Sequence, residues 1–209
     1  MLKMRHQDLL DRFRDLPLIS RILARLLREQ NPIHYYHCAQ HTQDVLGETL
    51  LFASHDGVSE RELELLAIAA AYHDAGYLEQ YAANEPIGAK MAAEAMREAG
   101  YSESDIDTVG LMILSTQIGP GPMATSRKVL TPLAIYLLDA DWGAFGREDF
   151  FEKVHQLIDE TGVPQPIFYR ETQDLLRAQT WLSPGAAALR NAKKLENLAA
   201  LTDRIEALS

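Results

Sequence analysis

A single cysteine, Cys38, excludes an internal disulfide and any metal site built from several thiolates. Basic residues are scarce: 20 Lys and Arg stand against 30 Asp and Glu, a formal net charge of -10. That balance argues against a nucleic-acid polymer or an anionic membrane as partner, since both need a basic face. No apolar run reaches the roughly 18 residues of a membrane span. No signal-peptide core follows the charged start Met1-Leu2-Lys3-Met4-Arg5-His6, so a soluble, cytoplasmic protein is the expectation. Strand-like alternation, hairpin dipeptides between strand-like runs, internal repeats and low-complexity tracts are also missing. With 47% hydrophobic residues the chain is still rich enough in apolar side chains to fold, and 209 residues favour one domain with a sizeable core.

What is present has helical period. Leu9, Leu10, Phe13 and Leu16, then Ile19, Ile22, Leu23, Leu26 and Leu27, recur at spacings of three and four. Pro17 splits this stretch and Asn31-Pro32 ends it. A helix is expected from about residue 33 to 53, closed by His55-Asp56-Gly57. Ser59-Glu60-Arg61-Glu62 is a capping box opening the next helix, which carries Leu65, Leu66, Ile68, Ala69 and Tyr72 and stops near Gly76. Further helices are expected at 84–100, 102–115, 129–145, 149–161, 167–181 and from about 184 to the end. Two Gly and two Pro in 119–122 make 117–128 a loop. The fold class is therefore an all-α, single-domain helical bundle.

Chemistry concentrates at Tyr72-His73-Asp74-Ala75-Gly76-Tyr77, where an adjacent His and Asp end an apolar run. An unpaired carboxylate is costly in such surroundings. His37 and His41, four apart on one expected helix face, can converge on the same cavity. Asp141 arrives from a third helix inside another apolar stretch, with Asp139 as the competing choice. Imidazole nitrogen with carboxylate oxygen suits one divalent ion among Mn, Fe(II), Zn, Co, Ni and Mg. Three or four protein ligands leave coordination positions open, as in catalytic sites.

The pieces Tyr36-His37-x-x-x-His41-Thr42-x-x-Val45-Leu46, Tyr72-His73-Asp74-Ala75-Gly76-Tyr77 and Leu138-Asp139-Ala140-Asp141, in that order, resemble the HD superfamily of metal-dependent phosphohydrolases. Asn84-Glu85 and the Ala-rich helix after it are similar to a bacterial subgroup of predicted HD phosphohydrolases. The resemblance covers about residues 33–146, which it implies are the HD core, with N-terminal helices 1–32 and C-terminal helices 147–209 packed on it. It implies an HD-type bundle in which His41, His73, Asp74 and Asp141 hold the metal. It also implies that His37 protonates the leaving oxygen or contacts phosphate. Placement adds Asp74 or Glu85 as the group orienting the attacking water. Lys90, Arg127, Lys128 and Arg147 are the cations that could hold a substrate phosphate. Two-metal members carry extra histidines between the doublet and the last aspartate; here none lies between His73 and His155, and Gln117 stands where one would be expected. A mononuclear site is favoured.

The function expected is hydrolysis of a phosphoester or phosphoanhydride of a small metabolite, a nucleotide first among candidates. Two rivals stand beside it: a cyclic or oligonucleotide phosphodiesterase, and a non-catalytic metal- or nucleotide-binding sensor or scaffold. A homodimer is left open. The other histidines have plainer readings, His6 and His155 as surface residues and His34 and His55 as helix-end residues. Asp139 reads as a surface charge, Cys38 as a small buried thiol, and Tyr169, Leu176 and Trp181 as core or a dimer contact.

Overall fold

The structure is a computed structural model and describes residues 6–118 and 127–208. Among them every regular element is helical: α1 (His6–Arg14), α2 (Pro17–Glu29), α3 (Ala39–His55), α4 (Glu60–Tyr72), α5 (Asn84–Glu98), α6 (Glu103–Ser115), α7 (Ala134–Asp141), α8 (Phe150–Thr161), α9 (Gln165–Ala178) and α10 (Pro184–Ala207). Short 3-10 turns follow α4 at Ala75–Leu78 and α7 at Gly143–Gly146. The all-α class expected from periodicity is the one found. No helix among the described residues is long and apolar enough to cross a membrane.

The bundle forms around α4. Every α4 residue from Leu65 to Tyr72 is buried, the mark of a helix surrounded by others rather than lying on a surface. Helices α2, α3, α5, α6 and α7 all pack against it. Its start is fixed as the sequence reads: the Ser59 hydroxyl accepts the Glu62 N–H, and the Glu62 carboxylate returns to the Ser59 N–H. Pro17 opens α2 from its first turn, where the missing N–H costs nothing. Ser102 and Ser183 cap α6 and α10 in the same way as Ser59 caps α4. A second, smaller apolar cluster of Phe150, Val154, Tyr169, Leu176 and Leu201 joins α8, α9 and α10. Tyr169 and Leu176 are thus core. α10 also packs on α3 and α7.

Two helices are shorter than their apolar patterns suggest. α3 starts at Ala39, not near 33, because the preceding backbone is bonded to side chains instead of to a helix. The Gln30 amide oxygen accepts the Ala39 N–H at 2.8 Å, and its nitrogen donates to the carbonyls of His34 and His37. α7 starts at Ala134 because Pro132 bars the helical region to Thr131, and the Leu130 N–H goes to the Ser115 hydroxyl at 3.1 Å. Conversely α9 begins earlier, at Gln165, with Pro166 accommodated in its first turn. Most of the expected 117–128 loop, and the first five residues, lie outside the described residues.

The junction of α4 with α5 places the His73-Asp74 doublet. A Cβ on Gly88 would lie 2.5 Å from the Tyr72 carbonyl oxygen and 3.2 Å from that of His73. A Cβ on Gly76 would lie 2.0 Å from the Asn84 carbonyl oxygen. Only glycine permits backbones this close. Gly110, by contrast, sits in α6 with nothing within 4 Å of such a Cβ. Gly88→Ala is therefore expected to destabilise the fold by about 1–3 kcal/mol, the usual cost of overpacking. Gly110→Ala is expected to stabilise it by about 0.5–1 kcal/mol through helix propensity. Urea denaturation of the two variants checks both signs.

Candidate metal centre

α4 ends one residue before the doublet. His73 keeps helical dihedrals as the residue after Tyr72, whereas Asp74 sits at φ -105°, ψ 7°. The break lets two adjacent side chains, which a continuous helix would splay by about 100°, approach one point. His41 reaches that point from the first turn of α3, and Asp141 from the last residue of α7.

The ligand atoms of His41, His73 and Asp141 all lie within 4.8 Å of one another. Among the described residues this is the one such group of three or more His, Cys, Asp or Glu side chains. His41 Nε2 is 3.3 Å and His73 Nε2 3.7 Å from Asp141 Oδ1. Asp74 Oδ2 is 3.4 Å from His41 Nε2 and 3.2 Å from His73 Nε2. Yet His41 Nε2, His73 Nε2 and Asp74 Oδ2 are all buried atoms without a hydrogen-bond partner. Orphaned polar atoms in a core are rare because each forfeits its hydration. Three of them facing one point fit a divalent cation, and two carboxylates match its charge.

The remaining polar atoms of these side chains are held. His73 Nδ1–H donates to the Ala70 carbonyl at 2.8 Å, which leaves Nε2 as the lone-pair nitrogen of the neutral ring. Asp74 Oδ1 accepts from Asn84 Nδ2 at 3.4 Å. Asn84 is buried; in the sequence it stands as a helix start and in the Asn84-Glu85 pair of the resemblance, and neither assigns it this contact. The Tyr36 ring lies 4.5 Å from that of His41. Asp139 does not belong to this group. It is fully buried, contrary to its reading as a surface charge, and accepts from Leu182 N–H, Ser183 N–H (2.7 Å) and the Ser183 hydroxyl (2.8 Å). Two residues along one helix point about 200° apart, so Asp139 ties down the start of α10 while Asp141 faces the imidazoles.

A cleft of about 350 Å³ opens beside the cluster, lined among others by His37, Asp74, Tyr77, Tyr81, Glu85 and Asp141. Thr116, Gln117 and Ile118 form part of its rim. His37 reaches it without the helical register expected, since it precedes α3. Its place is set instead by α8: the Glu160 carboxylate accepts the N–H groups of Tyr36 (2.8 Å) and His37 (3.1 Å) and meets His37 Nδ1. The His37 ring also stacks on Tyr77, centroids 4.7 Å apart. His34, expected at a helix end, is buried against Tyr77 and Tyr81.

The four cations expected to hold phosphate are dispersed. Lys90 is exposed and 4.0 Å from Glu94. Five residues turn a helix by about 140°, so it leaves the face that carries Glu85. Arg147 is bound to Asp149 and, at 3.1 Å, to Asp44, and lines a different cleft; a half-buried guanidinium needs such counter-charges. Lys128 is exposed and does not line the cleft. Arg127 does not line the cleft either, and differs from the others in the state of its guanidinium. Its guanidinium lies over Trp142 at 4.1 Å, with Nε and Nη2 buried and unpartnered. Desolvation lowers its pKa to about 10, against the opposing pull of Asp141 and Asp139.

Compared with known family models, curated proteins and solved structures, the chain matches none.

Burial and charge set the protonation of the cluster without metal. Desolvation pulls the His73 imidazole down, but the carboxylates of Asp74 and Asp141 outweigh it and hold its pKa at about 9. Asp74 is correspondingly depressed, its burial overcome by His73 and His41. The folded pKa of His73 exceeds the ordinary 6.5. Its stabilising charge is thus fully present below pH 6.5 and is lost as pH rises through 9 in the metal-free protein. A cation must displace that proton. Binding of Mn or Zn near neutral pH is expected to release a proton, with affinity rising up to about pH 9. Titration calorimetry in buffers of different ionisation enthalpy measures this; heats independent of the buffer would contradict it.

Proposed function

We propose that the chain is a metal-dependent phosphohydrolase that cleaves a phosphoester or phosphoanhydride of a small metabolite, a nucleotide being the first candidate. The observation that carries this reading is the convergence of His41 Nε2, His73 Nε2 and Asp74 Oδ2, buried and unpartnered, with Asp141 beside an open cleft. The order of His37, His41, the His73-Asp74 doublet and Asp141 along the chain, which resembles the HD superfamily, points the same way.

In this reading His41, His73, Asp74 and Asp141 hold one ion from the set Mn, Fe(II), Co, Ni, Zn or Mg. Such an ion lowers the pKa of a water and offsets charge on phosphoryl oxygens. The protein supplies the proton transfers. Glu85 lines the cleft, and burial followed by the fields of Asp74 and Asp141 raises its pKa. It is the base that takes a proton from the attacking water. His37 is the acid. Burial lowers its pKa, but Glu160 and Asp74 overcome this, and the net shift is upward. The protonated ring therefore persists above its ordinary range and gives a proton to the leaving oxygen as the phosphorus–oxygen bond breaks. The water oxygen forms the new bond to phosphorus; an ester yields phosphate and an alcohol, and an anhydride yields phosphate and the shortened phosphate chain. Arg127 lies outside the cleft lining, but its two unpartnered nitrogens and the field of Asp141 make it the cation left, of the four expected, to meet a non-transferring phosphoryl oxygen.

His37→Ala is expected to keep the metal and lower kcat by about 10²–10⁴-fold, the range of general acid catalysis. Asp74→Ala is expected to lose metal and turnover together while helicity is retained. Phosphate release from a panel of nucleoside phosphates with added Mn, read beside metal content, tests both. Cleavage of diesters without phosphate release would instead favour a phosphodiesterase. Tight nucleotide binding with no turnover would favour a sensor.

A further inference from the structure

Glu160 has no place in any sequence motif, yet its side chain is only 2% exposed. It lies 123 residues after His37, on a helix outside the α3–α7 bundle. Four donors or ring atoms converge on its two oxygens: Tyr36 N–H and His37 N–H at Oε2, His37 Nδ1 at Oε1, and the Tyr81 hydroxyl at Oε1, 3.3 Å away. The two N–H groups that join α8 to the 36–37 backbone both fall on Oε2. The remaining contacts are to the His37 ring and to Tyr81, both of which line the cleft.

The ring of His37 is held on two sides. Tyr77 stacks on its face at an interplanar angle of 28°, and Glu160 occupies its Nδ1 edge. A carboxylate accepts only, so Nδ1 carries a proton in the neutral as well as the charged ring. That leaves Nε2 as the nitrogen that exchanges protons with the cleft.

We propose that Glu160 is the positioning residue of a His–Glu pair: it fixes the orientation and Nδ1–H tautomer of His37, so that the Nε2 proton is the one given to the leaving oxygen. This rests on the reading of His37 as the proton donor. The Nε2 proton passes to the leaving oxygen as its bond to phosphorus breaks. The Nδ1 proton stays between the ring and Glu160, and Nε2 regains a proton from solvent before the next turnover. The Tyr81 hydroxyl shares the same carboxylate, so the rim of the cleft and the proton donor are set by one residue of α8.

The test compares wild type, Glu160→Gln, Glu160→Asp and His37→Ala, all with Mn. Two substrates are used: a nucleoside monophosphate, whose alkoxide needs a proton to leave, and p-nitrophenyl phosphate, whose phenolate does not. Loss of Glu160 is expected to lower kcat on the nucleotide by about 10²-fold. KM, metal content and the rate on p-nitrophenyl phosphate should change only a few-fold, and Glu160→Asp should recover part of the loss. Equal slowing on both substrates would make Glu160 merely structural and overturn the proposal. Wild-type kcat on both substrates in Glu160→Gln, while His37→Ala is slow, would also overturn it and leave the reading of His37 standing. Unchanged rates in His37→Ala would overturn that reading instead. Nitrogen-15 NMR of the unsubstituted protein needs no variant to fold: the neutral His37 ring should carry its proton on Nδ1, and an Nε2–H ring would refute the pairing.

Discussion

Two carboxylates and two imidazoles meet where the protein is otherwise apolar, and the rest of the structure answers to that constraint. Asp74 and His73 are at most 9% exposed, and their facing atoms have no hydrogen-bond partner. Charges taken out of water cost several kcal/mol each unless an opposite charge meets them at close range. Without metal, a proton on His73 meets part of that demand. A divalent cation meets all of it, and its ligation spends no hydrogen bonds that the fold needs, because Nδ1 of His73 and Oδ1 of Asp74 are already engaged elsewhere.

The bundle fixes the position of that point. α4 is surrounded on its whole circumference and delivers the doublet at its end. Gly76 and Gly88 let α5 come close enough for Asn84 to hold Asp74. Asp139 anchors α7 to the start of α10, so that Asp141, two residues on, is presented from a fixed rod. Rigid elements position side chains better than loops do, and each of the four side chains here stands on or just beyond a helix packed into the core.

Much of this was legible from residues alone, and where it was not the reason is physical. The apolar spacing marks most core positions, including Ile106, Val109, Met112 and Ile113, which are all buried. Leu27 continues the same pattern but is 69% exposed, since period alone does not say where a buried face ends. The His-Asp doublet, His41 and Asp141 come together as their burial costs suggest. His37 reaches the cleft for a different reason than its spacing suggests, because Gln30 and Glu160 take the hydrogen bonds that would have extended α3. Glu160 carries no signal in the sequence, and Asn84 carries none for its contact with Asp74. A carboxylate on an amphipathic helix or an amide at a helix start looks solvated until the partner, tens of residues away, is placed beside it. Lys90 and Arg147 end up away from the cleft, because helix rotation and local acids, which a position in the sequence does not show, decide where such side chains go.

The central claim is that side chains from three helices close around one ion. Crystals grown with Mn and measured at the Mn absorption edge address it directly. The account predicts one anomalous peak at roughly 2.0–2.3 Å from His41 Nε2, His73 Nε2, Asp74 Oδ2 and Asp141 Oδ1. A protein with Mn bound elsewhere, or none at this point while the four side chains keep their places, would contradict it.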